Sequence, residues 1–178
     1  MQLKLSIGAA LMAATLALVG CYETPEGVLG RGEEVAVPPG SYRCQNDKDR
    51  EVSAATISAP ARLSADDVVY VATLDKDRYA VRIAALPGGL FLLEARGDFR
   101  GAQHVFVRRQ GSDAYDLLVT DSRAQGRLTE LARTHGVTIE FPSYGAPRIQ
   151  GPPDRVRAFL LAHTPAELQR TATCRRVA

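Results

Sequence analysis

The sequence has no tryptophan, and aromatic residues make up only 6% of its 178 positions. Together with 15 Gly and 10 Pro, that scarcity points to a loop-rich core of aliphatic side chains rather than a cleft walled by aromatic rings. Charge of one sign is also missing: 22 Lys and Arg stand against 20 Asp and Glu, for a formal net charge of +2. With 46% hydrophobic residues, this balance excludes a disordered polyelectrolyte. No apolar run reaches the roughly 20 residues that a permanent membrane helix needs. The motifs of common hydrolases are absent: there is no G-x-S-x-G elbow, no H-E-x-x-H pair and no S-x-x-K opening a helix. The chain also shows no internal repeat. A single small domain with no catalytic, cofactor or metal residue evident is the expectation.

The first 21 residues are informative. Lys4 is the only charge before Glu23, and residues 7–19 form an uninterrupted run of apolar or small side chains ending in Leu18-Val19-Gly20-Cys21. A run of this length after a basic start fits a secretory signal better than a span. It has no polar face, so it does not read as a core helix. The Leu-Val-Gly-Cys ending resembles the lipobox of bacterial lipoprotein precursors. The resemblance covers residues 1–21 only. It implies cleavage between Gly20 and Cys21, a diacylglycerol on Cys21 Sγ, and acylation of the new amine. Several acyl chains hold a protein stably on a bilayer where one does not. Position 22 is Tyr rather than the Asp associated with inner-membrane retention, so the family rule favours the outer membrane. The protein is thus expected in a bacterial envelope, facing the periplasm.

With Cys21 assigned to lipid, Cys44 and Cys174 remain in an oxidising compartment and are expected to pair. The bond would join the first strand of the mature domain to its last residues. Closing so long a loop is worth roughly 4–5 kcal/mol on the chain-entropy view.

Residues 21–40 are rich in Gly, Pro and Glu and lack a sustained period, so they read as a flexible tether with a reach of about 25 Å. The domain is placed at 41–178. Short alternating runs predict strands at 41–45, 52–58, 68–74, 79–86, 90–96, 102–109 and 114–120, separated by hairpin-length turns such as Pro87-Gly88-Gly89. After Thr120 the apolar period becomes helical: Ala124, Leu128, Leu131, Ala132 and His135, with Ser122 and Gln125 as a capping pair and Gly136 as the stop. Pro152-Pro153 opens a second helix that puts Val156, Phe159, Leu160 and His163 on one side. Thr164 and Glu167 form another capping box, read as opening a short last helix through Leu168. The fold class is α+β: an antiparallel meander of about seven strands with two or three helices toward the C-terminus. A small curled β-barrel with C-terminal helices is the alternative.

Several constellations bear on function. His135 and His163, at predicted helix ends, read as cationic caps of the macrodipole. His104 lies in a strand. Asp47, Asp49 and Glu51 alternate like a calcium loop, but Lys48 and Arg50 fill the gaps and the required glycine is missing, so the segment reads as a solvated turn. Arg96-Gly97-Asp98 carries no functional weight in a Gly turn. Between Lys76 and Arg109 seven basic residues, Arg100 among them, face three acidic ones. The members Arg78, Arg82, Arg108 and Arg109 form a candidate surface for an anionic envelope partner. Nucleic acid is not expected as a partner outside the cytoplasm. Ser41-Tyr42-Arg43-Cys44 is faintly similar to the Tyr-x-Cys start of periplasmic lysozyme-inhibitor lipoproteins, whose inhibitory motif has no counterpart here. The stretch 91–136 resembles uncharacterised small envelope lipoproteins. The leading expectation is a non-enzymatic, membrane-anchored binding module. The rival is a periplasmic enzyme whose site assembles only in three dimensions, around His104 or His135.

Overall fold

The computed structural model describes residues 22–30, 37–64, 67–74, 76–97 and 101–177. Cys21 and Gly20, the expected lipidation and cleavage positions, and Arg100 lie outside them. The strands are β1 (Tyr22–Thr24), β2 (Gly40–Asn46), β3 (Val52–Ile57), β4 (Ala61–Ser64), β5 (Asp67–Leu74), β6 (Asp77–Leu86), β7 (Leu90–Arg96), β8 (Ala102–Gln110), β9 (Ala114–Thr120), β10 (Thr138–Glu140), β11 (Arg148–Gln150) and β12 (Leu168–Val177). Two α-helices are described, α1 (Gln125–His135) and α2 (Pro153–Leu161).

All seven expected strands are present, but they do not form an open meander. The wall runs β8-β7-β6-β5-β3-β2-β12-β9 and returns from β9 to β8, closing an eight-stranded antiparallel barrel. The curled alternative is therefore the better account. β12 makes the closure: it pairs β2 from Ala172↔Asn46 to Val177↔Ser41 and β9 from Leu168↔Thr120 to Arg175↔Ala114, with a register shift between Arg170 and Ala172. Its start was expected as helix. Thr164 and Glu167 do form the capping box, but it closes one 3-10 turn, Pro165–Glu167. The Asp121 amide then donates to the Glu167 carbonyl, which starts the β9 pairing at once. The Thr-rich segment that follows suits a pleated wall.

The first helix also begins differently. Asp121, not Ser122, is the cap: its carboxylate accepts from the Arg123 amide, a 3-10 turn covers Ser122–Ala124, and α1 starts at Gln125. Gly136, at φ 65°, terminates α1 in the left-handed conformation that glycine adopts without a Cβ penalty. Pro153 opens α2 as its fixed φ allows, and Val156, Phe159 and Leu160 are buried from it.

The segment expected as a free tether is part of the domain over residues 22–30. β1 pairs antiparallel with β8, Tyr22↔His104 to Thr24↔Ala102, and parallel with β11, Glu23↔Arg148. Tyr22, Val28 and Leu29 are buried. Composition concealed this, because three apolar anchors spread over eight residues have no period. Gly101, at φ 96°, lets the strands meet: a Cβ there would lie 2.3 Å from the Thr24 carbonyl oxygen.

The barrel wall has two apolar faces. On the outside, Leu90, Leu92, Phe106 and Leu118 pack with Tyr22, Leu29 and the inner sides of both helices into the largest core cluster. On the inside, the opposite parity of the same strands lines the lumen.

Candidate functional site

Alternation sends odd residues of β7 and β8 inward. Phe91, Leu93 and Ala95 face Gln103, Val105 and Val107 across their ladder. β3 and β5 contribute the small side chains of Ala55 and Ala72. Tyrosines pack among these inner side chains. Tyr42 and Tyr115 meet edge to face with ring centroids 6.0 Å apart. The Tyr42 hydroxyl donates to the Pro38 carbonyl at 2.7 Å, and Tyr70 packs with Val68, Val81 and Ile83. The lumen is not filled. An apolar cavity of about 200 Å³ remains, lined by Ala55, Ala72 and Ala95 together with Phe91, Leu93 and Val105. These side chains are partly exposed although they point inward, because they face open space. Three alanines on separate strands leave volume that Leu or Phe would occupy.

Gln103 is the notable polar group of the lining, and its Oε1 is buried without a hydrogen-bond partner. The Cys44–Cys174 bond also faces the lumen. The two residues are directly opposed on β2 and β12, the first and last strands of the barrel, and 130 residues apart in sequence. The expected disulfide is formed, and it staples the line along which the barrel closes.

The buried acids and histidines lie on the other side of the wall. Glu94 is 1% exposed. Its Oε2 accepts from the Val28 and Leu29 amides at 2.6 and 2.7 Å, and its Oε1 accepts from Arg96 at 3.0 Å. Gly27 sits directly over this pair, and a side chain there would displace the Arg96 guanidinium. His163 faces the Phe159 carbonyl, which can only accept, so Nδ1–H donates to it at 3.0 Å and Nε2 accepts from the Tyr22 hydroxyl at 2.8 Å. Burial holds His163 down to about 4 and pushes Tyr22 well above the usual phenol range. His163 is therefore a neutral hydrogen-bond bridge beneath Tyr22, not the cationic helix cap expected. His135, at the end of α1, is half-buried and meets Phe159 edge to face at 6.5 Å.

His104 tests the enzyme reading. It lies beside Glu94 in the ladder and 2.8 Å from Thr24 Oγ1, a hydroxyl, an imidazole and a carboxylate in one place. The polarity is wrong for nucleophile activation. Thr24 Oγ1 donates to the Glu26 carbonyl at 2.6 Å, so it accepts from His104 Nε2–H, whereas a base must take the hydroxyl's proton. His104 Nδ1 is left without a partner rather than bonded to Glu94. Burial lowers the imidazole to about 4. Thr24, His104 and Glu94 are all buried, at 4%, 0% and 1% exposure, so substrate has no approach. The grouping fixes β1 to the wall.

The candidate basic residues are divided between two strands of the wall. Arg78 and Arg82 lie on β6 and Arg108 and Arg109 on β8, with β7 between. Arg82 makes a two-pronged pair with Asp67. Arg108 is paired with Asp116, which also accepts from Gln110 and Thr173. Burial would raise Asp116, but these donors outweigh it and hold the carboxyl below its ordinary value. Arg109 donates to the Gly111 carbonyl and Arg78 is exposed. Asp47, Asp49 and Glu51 belong to the β2–β3 turn, where Asp47 pairs with Arg170 and Asp49 accepts from the Glu51 amide. Among the described residues no His, Cys, Asp and Glu cluster could hold a metal ion, and no helix is long and apolar enough to cross a membrane.

Sequence reasoning missed Glu94, Gln103 and the three lumen alanines. Glu94 left a signal, a lone acid sharing parity with Leu90 and Leu92. The alanines left none, since nothing local marks a side chain as facing a common centre. No protein-family model matches the chain, and no curated protein or solved structure is significantly similar to it.

Proposed function

We propose that this chain is an envelope lipoprotein, anchored through Cys21, that binds a small apolar molecule inside its barrel. The observation that carries the reading is the cavity of about 200 Å³ in a closed barrel. It is larger than the roughly 150 Å³ pocket that suffices for one benzene ring and smaller than the roughly 300–1,000 Å³ pockets of drug-sized ligands. A short hydrocarbon chain or a compact ring system fits that interval. Gln103 offers one acceptor, suited to a single hydroxyl or N–H on the guest. No Lys or Arg lines the cavity, so a charged headgroup would have to stay outside. The lipobox supports the anchor, and the buried acids and imidazoles support binding over turnover, because each is engaged in holding the wall.

The test is titration with a neutral naphthylamine dye, followed by displacement with fatty alcohols of graded length. The expected result is enhanced emission for the native chain and none for an Ala55→Leu, Ala72→Phe variant that keeps its circular dichroism and melting behaviour. Equal dye binding by the filled barrel would overturn the lumen as the site.

A further inference from the structure

β1 and β11 run parallel, with Glu23 opposite Arg148 and the Glu23 amide donating to the Pro147 carbonyl at 2.9 Å. Parallel strands share their starting end. The starts of β1 and β11 therefore lie side by side, about 5 Å apart. Tyr22 itself is wholly buried and hydrogen-bonded to His163, so the fold holds its first described residue fast. The neighbouring loop, residues 141–147, reads Phe-Pro-Ser-Tyr-Gly-Ala-Pro and has no charged residue. Its Tyr144 is 93% exposed, far more than any other large apolar side chain described. Three residues of chain reach no further than about 11 Å, so Tyr144 stays close to the start of β1.

We propose that the loop of residues 141–147 rests in the headgroup layer of the membrane, with Tyr144 as its interfacial contact; this rests on lipidation of Cys21. A lipid held one residue from a locked strand draws this side of the domain to the bilayer. An exposed tyrosine on an uncharged loop is the side chain suited to that boundary, its ring toward the acyl region and its hydroxyl toward water. Arg148 follows the loop, reaches Glu23 at 3.5 Å and is still 60% exposed, so a cation stands where lipid phosphates would lie.

The absence of native tryptophan makes the test direct. Full-length acylated protein carrying Tyr144→Trp is reconstituted in phosphatidylcholine vesicles with and without brominated acyl chains. A second protein carries Lys48→Trp in the β2–β3 turn, which joins β3, the strand across the ring from β8. The expected result is blue-shifted emission quenched by bromine at position 144, and water-like, unquenched emission at 48. Intact mass decides separately whether Cys21 is acylated. If the acylated Tyr144→Trp protein emits as in water, this proposal alone is overturned, as it is by equal quenching at both positions. An unacylated Cys21 in membrane material overturns the anchor and this proposal with it.

Discussion

The two faces of the barrel wall are built from the same strands and differ in how they are finished. On the outer face beneath the helices, Tyr22 meets Phe106, Phe159 and His163 edge to face, with ring centroids 6.3, 5.6 and 5.3 Å away. The buried Glu94 there has all its partners. On the inner face polar anchoring is almost absent and space is left over. A surface that is close-packed and keyed by hydrogen bonds stabilises one arrangement, whereas an unfilled apolar one forgoes dispersion contacts that a guest can supply. The outer face holds the fold, and the inner face leaves contacts unmade.

Acid separates the two faces most strongly. His104 and His163 sit near 4 in the folded protein against about 6.5 when unfolded. Between these values the unfolded chain binds more protons, so stability is full above about pH 6.5, falls as the pH drops, and stops falling below about 4. By pH 4 the loss is on the order of 3 kcal/mol per histidine. Urea midpoints measured from pH 7 to 4 should fall accordingly, while dye affinity of the still-folded fraction stays level. A flat stability profile would break the comparison.

Truncating the N-terminal key comes next. Tyr22→Ala should cost about 3–5 kcal/mol, as loss of a buried aromatic ring does, and Tyr22→Phe only about 1–2 kcal/mol. Denaturant unfolding checks both. A loss below about 1 kcal/mol for the alanine variant would show that residues 22–30 stand outside the cooperative unit.

The disulfide should contribute about 2–5 kcal/mol, as native bridges in small secreted domains do. The Cys44→Ser, Cys174→Ser double variant and the reduced native protein should lose similar amounts by the same measurement. Because both sulfurs face the lumen, dye binding should change in that variant as well.

Filling the lumen should have the smallest effect on stability and the largest on binding. Ala72→Phe is expected to shift the melting temperature little, since the cavity accepts the ring, and to abolish dye emission. A loss of several kcal/mol would mean that the cavity cannot admit a phenyl group, and would make the two faces alike.

The seven central strands were legible because alternation and turn residues are local signals. Closure was not: alternation tells which side chains share a face but not that β12 returns to both β2 and β9. Three-residue strands such as β1 and β11 carry no period at all. The cysteine pair was legible by counting. The basic stretch was legible only as a run of charge, since the partners Asp67 for Arg82 and Asp116 for Arg108 come from other strands. Both apolar faces of β7 and β8 could be read as buried, yet nothing in Leu90-Phe91-Leu92-Leu93 tells which row faces helices and which faces a hollow.

The stapled closure bears on how this barrel would survive a proteolytic cut. The exposed turn between β8 and β9, at Gly111 and Ser112, is a natural place for nicking. A single cleavage there would leave Cys44 on one fragment and Cys174 on the other, still covalently joined. The halves would share one barrel and one effective concentration, so a nicked chain should keep its hollow and run as two bands only after reduction.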